Sequence, residues 1–373
     1  MARDKLRVLQ VMRAPVGGLF RHVADLTRTL AERGHEVGIV VDESGDAQSD
    51  LKLAGLEPFA ALGIHRFPIP RLLGPDDITT PARIRALAKS TGADILHGHG
   101  AKGGFGARLA RIGRKRAGAV YTPHGGALHF DPRSLSGGLF MTIERSLLRL
   151  TDALIFESRY AQKTFASHVA QPQGRQEVIH NGLAAAEFVP ISPGPDAADF
   201  AFVGELRTLK GIDLIVEALA PLRAPDGRPA TIIMAGDGPD AAALRERIAQ
   251  LGLGERITLA GIRPARDIFA SGRCVLVPSR AESLPYVVME AAAAGRPIIA
   301  TNVGGIGEIF GPTAQSLIAP NDVSPLGEAM AAFLAAPELL QREAEARRDF
   351  VQSRFSLVHM VDEIEALYQS LTI

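Results

Sequence analysis

Residues 282–305 read ESLPYVVMEAAAAGRPIIATNVGG. Pro285 stands where a helix begins, and Gly295 followed by Arg296-Pro297 stands where one ends. The alanine run lets that helix lie tight against a sheet, and RPIIAT (296–301) after it reads as a strand. Glu282 falls in the loop before the helix. Glu290 lies about one and a half turns inside it, at ~3.6 residues per turn. Two carboxylates thus sit at different heights beside one helix N-terminus, which is an anion site. They repel a phosphate unless they reach past it to hydroxyl groups on either side. A ligand with hydroxyls, a diphosphate and more hydroxyls meets that condition: a sugar nucleotide.

Working outward, the same strand-then-helix pattern runs from end to end. Strands are expected at LRVLQVM (6–12), EVGIVVD (36–42), DILHG (94–98), AVYTPH (119–124) and DALIFES (152–158), with a helix over 21–35. A stretch with Pro, Gly and no periodicity, VPISPGPDAAD (189–199), reads as a linker. Beyond it come FAFVG (200–204), ATIIMAG (230–236), RITLAG (256–261) and CVLVPS (274–279). Alternating βα units imply parallel sheets covered on both faces. The expected fold is α/β: two doubly wound, Rossmann-like domains, residues 1–188 and 200–355, facing across a cleft. A last helix, 356–373, has no strand after it.

In open parallel sheets ligands gather beyond the carboxyl ends of the strands. The segments there are APVGGLF (14–20), HGHGAKGG (97–104), PHGGALH (123–129), GELRTLKG (204–211), GDGPD (236–240), GIRPARD (261–267) and the loop with Glu282. If both sheets point these ends at each other, all of them line one cleft. Gly17-Gly18 lets backbone amides approach a ligand closely. No G-x-G-x-x-G follows the first strand, which argues against a nicotinamide cofactor. Arg207 and Lys210 place two cations after the second domain's first strand, where they could hold a diphosphate. Solvated charges are the bland alternative, but cations gain nothing at a helix N-terminus.

His124, in TPHGG, can bond a sugar hydroxyl or accept a proton. His97, His99 and His129 lie near it in sequence, without the spacing or acidic company of a zinc site. At most one of His97 and His99 is expected to face the ligand, and that one is His99. Paired carboxylates could also be a glycosidase acid and base, but a glycosidase has no use for the phosphate-gripping groups. Glu308, in NVGGIGEI (302–309), is a candidate for a supporting role.

Composition sets bounds. The chain has 373 residues, 46% apolar and 22% charged, as a two-domain globular protein should. Its single cysteine, Cys274, excludes a disulfide framework and reads as a small buried hydrophobe. No stretch approaches ~18 continuous apolar residues, and the first strand reads as a strand rather than a leader, so the expected location is the cytoplasm. Formal charge is zero, yet residues 1–190 hold 25 Lys and Arg against 18 Asp and Glu. A basic run, Arg108, Arg111, Arg114, Lys115 and Arg116, ends a helix, an ordinary stabilising choice. Peripheral contact with anionic lipid on the inner face of the cell membrane is its functional option. Nucleic acid is disfavoured by the absence of Trp and of net charge.

These residues resemble the retaining, nucleotide-sugar-dependent glycosyltransferases of family 4, which have the GT-B fold. The resemblance runs through GGLFRHVADLTRTLAERGHEV, TPHGG, VIHNGL (178–183), FVGELRTLKGIDLIVEAL, AGDGP and PSRAESLPYVVMEAAAAGRPIIAT. The last contains the family's E-x7-E motif, Glu282 and Glu290. The resemblance implies that Glu290 binds ribose hydroxyls and Glu282 the transferred sugar. The backbone through Leu284, Pro285, Tyr286 and Val287 would meet the phosphates, and Gly261, Ile262 and Arg263 the base. Arg207 and Lys210 would stabilise the leaving diphosphate, and Gly17 and Gly18 would shape the donor-phosphate and acceptor region. His124 would contact the donor sugar near the reacting carbon, with His99 and Lys102 as acceptor-side candidates. Many relatives have Arg directly after the glycine of FVG; this chain has Glu205, so Arg207 is expected to substitute.

The implied chemistry needs no metal and no cofactor beyond the nucleotide-sugar donor, by default a UDP-sugar giving a hexosyl unit. Retention on one face is expected, with double displacement left open. The acceptor would be a glycan or lipid-linked intermediate of a bacterial surface polysaccharide or glycolipid, bound by the basic first domain. Domain closure about the linker and a last helix crossing back to the first domain are also implied. A sugar-nucleotide epimerase or phosphorylase on the same fold, or a non-catalytic sugar-nucleotide binder, are the alternatives.

Overall fold

The computed structural model describes residues 5–72, 74–113, 117–125, 134–172 and 174–372. The chain forms two compact units: residues up to Gly182 together with those from Leu357, and Leu183–Ser356. In the first unit, β1 (Arg7–Val11), α1 (Gly17–Glu32), β2 (Glu36–Asp42), α2 (Ala47–Ala54), β3 (Ile64–Phe67), α3 (Asp76–Thr91) and β4 (Ile95–His99) come in order. Then follow α4 (Gly100–Ala110), β5 (Gly118–Thr122), α5 (Leu135–Leu147), β6 (Ala153–Phe156), α6 (Arg159–His168) and β7 (Arg175–Val178). The sheet is parallel throughout, ordered β3-β2-β1-β4-β5-β6-β7. Its central strands are buried almost completely because helices cover both faces. The edge strands IHRF and RQEV are only partly buried and carry charge, as exposed edges do. That polarity is why neither was expected from hydrophobic runs.

The second unit repeats the plan with β8 (Ala198–Val203), α7 (Ile212–Leu219), β9 (Ile232–Ala235), α8 (Ala241–Gln250), β10 (Ile257–Leu259), α9 (Ala265–Ser271) and β11 (Gly272–Val277). It continues through α10 (Tyr286–Ala293), β12 (Ile298–Ala300), α11 (Ile306–Phe310), α12 (Val323–Ala335) and α13 (Pro337–Arg354). Its sheet is parallel, ordered β10-β9-β8-β11-β12. The last helix, α14 (Leu357–Leu371), packs Met360, Val361, Ile364, Leu367 and Tyr368 into the first unit's core with Leu6, Val8, Leu26, Ile95 and Val120.

Strand order reverses between β1 and β4 in one unit and between β8 and β11 in the other. At such switch points flanking loops diverge and leave a crevice beyond the strand ends. Gly17-Gly18 follow β1 and His99 ends β4; Arg207, Lys210 and Glu282 follow β8 and β11.

Two expectations need correction. The stretch 189–199 does not hang free as a linker, and the second unit begins at Leu183. The Ile191 amide donates to Ala294 O (3.0 Å), while Arg296 donates to Ile191 O (3.0 Å) and Arg266 to Glu187 O and Val189 O (2.9 and 2.8 Å). Leu183 N donates to Phe355 O (2.8 Å), which ties together both ends of the unit. Two arginines and a backbone bond fasten a segment that lacks periodicity. The helix expected over 21–35 starts four residues earlier, at Gly17, because φ of +62° at Gly17 turns the chain directly into α1. Among the described residues no single helix is long and apolar enough to cross a membrane.

Candidate active site

In the first unit four histidines converge. His97 and His99 are two apart on β4 and therefore point to the same face, with ring centroids 3.9 Å apart. Of the two, His99 lines the cavity described below and His97 does not. His99 Nε2 donates to Gln10 Oε1 (2.6 Å), so its Nδ1 accepts from His124 Nε2 (3.0 Å). His22, on α1, donates from Nδ1 to Asn181 Oδ1 (3.0 Å), and its Nε2 has no partner among the described residues. His97 is held by the Tyr368 hydroxyl of α14 (2.6 Å) and by Thr122 Oγ1 (2.8 Å).

Burial dominates the electrostatics. It lowers the His22 pKa to about 4 against a partial rise from Asn181, and holds His97, His99 and His124 well below the ordinary imidazole value. The cluster is neutral at pH 7. His124 adopts φ +49°, an uncommon backbone for a non-glycine residue. Nitrogens of His22, His99 and His124 lie within 4.8 Å of one another, close enough for a metal ion to use. Their amide acceptors and mutual hydrogen bond already fix the tautomers.

A cavity of about 320 Å³ opens beside His99 and His124. Lys102, in the first turn of α4, lines it and is bound to Asp77 (2.7 and 2.9 Å) and to Leu72 O (3.0 Å). Of the basic run, Arg108 is fully buried on Glu144 (2.9 and 3.1 Å) and Arg111 pairs with Asp152 (2.6 and 2.7 Å). Those two are structural. Arg114, Lys115, Arg116 and His129 lie outside the described residues.

In the second unit the chemistry is ionic. Lys210 Nζ donates to Glu282 Oε1 (2.6 Å), which also accepts from Ser279 Oγ (2.8 Å). Glu282 is 9% exposed, while the Lys210 side chain keeps 26%. The loop carrying Lys210 is itself braced: Thr208 donates twice to Asp240 (2.6 Å each), and Arg280 forks onto Asp213 (2.8 and 2.6 Å). Behind Glu282 stands Gly304, where a Cβ would come within 1.9 Å of the Glu282 carbonyl oxygen. Glycine there lets the two loops close on each other. Arg207 is half-exposed, with Glu205 at 3.9 Å.

Pro285 is the N-cap of α10, and Glu290 lies half-buried on the same helix among fully buried alanines. Leu284, Pro285 and Tyr286 are buried and Val287 half-buried at the helix entrance; Gly261, Ile262 and Arg263 form an exposed turn after β10. Glu308 is half-buried on α11. Cys274 is buried, and burial pushes its thiol up to about 12.

Sequence reasoning missed His22, Gln10, Asn181 and Tyr368, the hydrogen-bonding supports of the histidine cluster. It also missed that Lys210 and Glu282 pair with each other. Asn181 stood in VIHNGL and His22 in GGLFRHV, but only tertiary proximity gives them partners.

Both parallel α/β units gather polar side chains at a switch point, the second as a carboxylate–lysine pair. Two family models match: Glycosyltransferase Family 4 over residues 16–187 and Glycosyl transferases group 1 over 197–336. The chain belongs to this glycosyltransferase family. It is 28% identical to a glycogen synthase of Mycobacterium tuberculosis over 366 residues, 91% of this chain and 88% of the relative. Its fold is GT-B. It superimposes on sucrose-phosphate synthase from Thermosynechococcus elongatus with a TM-score of 0.81 at 20% identity, covering 99% of each chain. Anabaena Alr3699/HepE, solved in complex with UDP, matches with a TM-score of 0.79 at 19% identity over 98% of this chain and all of that one.

Proposed function

We propose that this enzyme moves a hexosyl unit from a UDP-sugar to a glycan or lipid-linked acceptor, with retention of configuration and without a metal ion. The observation that carries the reading is the Lys210–Glu282 pair, with Arg207 in the same loop. When the donor enters, Lys210 serves two anions: it holds Glu282 in place to bond the sugar hydroxyls and balances charge on the departing phosphate. Arg207, half-exposed and 3.9 Å from its nearest carboxylate, turns to the same phosphate. Preset cations in a loop braced by Asp240 and Asp213 do what a divalent ion does elsewhere.

Glu290 binds the ribose hydroxyls, and the entrance of α10 from Leu284 to Val287 meets the diphosphate. The turn Gly261–Arg263 takes the base, and Gly17-Gly18 shapes the phosphate and acceptor region. UDP is supported by the similarity to a structure solved with UDP. His124, neutral and oriented by His99, contacts the donor sugar near the reacting carbon. The acceptor oxygen bonds to the anomeric carbon as the bond from that carbon to the phosphate oxygen breaks. The acceptor proton passes to that leaving oxygen. The excess positive charge of residues 1–190 supports a phosphorylated or membrane-associated acceptor, and hence a cytoplasmic enzyme working on the inner face of a bacterial membrane in surface polysaccharide or glycolipid synthesis.

The test is thermal unfolding with UDP, GDP or ADP in the presence of EDTA, on wild type and Glu290→Ala. UDP at 100 times its Kd should stabilise the wild type by about 2.7 kcal/mol, and the variant should lose most of that shift. No response to any nucleotide would sink the reading.

A further inference from the structure

The cavity beside His124 has the wrong lining for a sugar. Buried sugar hydroxyls need hydrogen-bond partners along the wall. Among the described residues this cavity has no Asn, Gln, Asp, Ser or Thr in its wall. Its one carboxylate, Glu144, is already engaged by both Nη atoms of Arg108 and by the Tyr121 hydroxyl (3.2 Å). The bulk of the wall is instead Val16, Leu19, Phe105, Phe140 and Ile143. Apolar surface continues at the sequence neighbours of lining residues, where Leu72 is 79% exposed and Leu139 51%.

Charge is distributed unevenly around that wall. Lys102 is answered by Asp77. Arg13 and Arg71 also line the cavity, and among the described residues neither has a carboxylate within ion-pair distance. Two arginine forks with no counter-charge among the described residues, beside an apolar wall, are a receptor for an anion attached to a hydrocarbon.

We infer that the acceptor is an anionic amphiphile whose apolar body fills this cavity, whose phosphate or carboxylate is held by Arg13 and Arg71, and whose accepting hydroxyl is presented at His124. This rests on the glycosyltransferase reading above and narrows it: the group beside the accepting hydroxyl is hydrocarbon rather than another sugar. Such an anion comes from a membrane lipid or from a soluble metabolite, and the chemistry of recognition is the same.

The experiment measures binding of 8-hydroxyoctyl phosphate, 1,8-octanediol, glycerol 3-phosphate and maltose to the full chain. A second arm measures co-sedimentation with vesicles of phosphatidylcholine alone or with added phosphatidylglycerol. Wild type and an Arg13→Gln/Arg71→Gln double variant are compared, with the UDP thermal shift recorded on both. The expected result is that 8-hydroxyoctyl phosphate binds at least about tenfold tighter than any of the other three probes, and that the double variant loses this preference while keeping its UDP shift. If phosphatidylglycerol vesicles also retain the wild type but not the variant, the amphiphile is a lipid; if only the soluble probe binds, it is a metabolite. Maltose or glycerol 3-phosphate binding as tightly as 8-hydroxyoctyl phosphate would overturn the inference, as would an unchanged preference in the variant. Loss of the UDP shift in the wild type would instead count against the donor reading, so the two failures are separable.

Discussion

The two units share one architecture and place their functional residues at the same topological position, yet they make opposite use of charge. In the first, burial strips four imidazoles of protons, and hydrogen bonds to Gln10, Asn181, Thr122 and Tyr368 orient them. In the second, a lysine and a glutamate meet at 2.6 Å with part of the lysine left in solvent. A switch point determines where side chains gather; the depth of burial there determines whether they are charged. Neutral imidazoles suit hydroxyls and a sugar, and a partly solvated ion pair suits a diphosphate.

The contrast can be broken most forcefully at Lys210. Lys210→Ala should lower kcat/KM on the order of 10²–10³-fold, the loss expected when one preset electrostatic group is removed. Steady-state kinetics will show whether the half-exposed Arg207 matters less, with Arg207→Ala costing about tenfold. Equal losses would mean that burial does not grade the two cations.

Acid should find the first unit before the second. The His22 pKa is about 4 in the folded protein against an ordinary 6.5, so the unfolded chain binds more protons between those values. Its stabilising contribution is complete above pH 6.5 and is lost as pH falls towards 4. At 1.36 kcal/mol per unit this amounts to about 3 kcal/mol from His22 alone. Thermal unfolding against pH should show that slope in the wild type and a shallower one in His22→Leu. A slope of opposite sign would mean the imidazole is charged in the folded state.

Tyr368→Phe removes the 2.6 Å bond from α14 to His97 and should cost about 1 kcal/mol, read by denaturant unfolding. It should leave UDP affinity untouched, because α14 belongs to the first unit's core. On the proposed metal-free reading, EDTA should change the transfer rate by less than about twofold.

Much of this was legible in residues 282–305 and in the strand-end loops. Gly295 and Pro285 mark α10, and the central strands announce themselves because two-sided burial requires continuous apolar runs. β3 and β7 were not legible because edge strands tolerate charge. The segment 189–199 looked free because its fastenings come from Arg266, Arg296 and Ala294, far along the chain. The roles of Glu282, Glu290, Lys210 and His124 could be ventured from motif. The partners that orient the histidines could not, since Asn181 and Tyr368 lie 159 and 271 residues from the rings they hold.

The division of labour is tested most directly by calorimetric titration of UDP, in EDTA, into wild type, Lys210→Ala and His124→Ala. UDP carries the diphosphate but not the transferred sugar. Lys210→Ala should therefore weaken binding at least about tenfold, while His124→Ala stays within about twofold of wild type. Unchanged affinity in Lys210→Ala with a loss in His124→Ala would contradict the account, because the nucleotide diphosphate would then depend on the neutral unit and not on the ionic one.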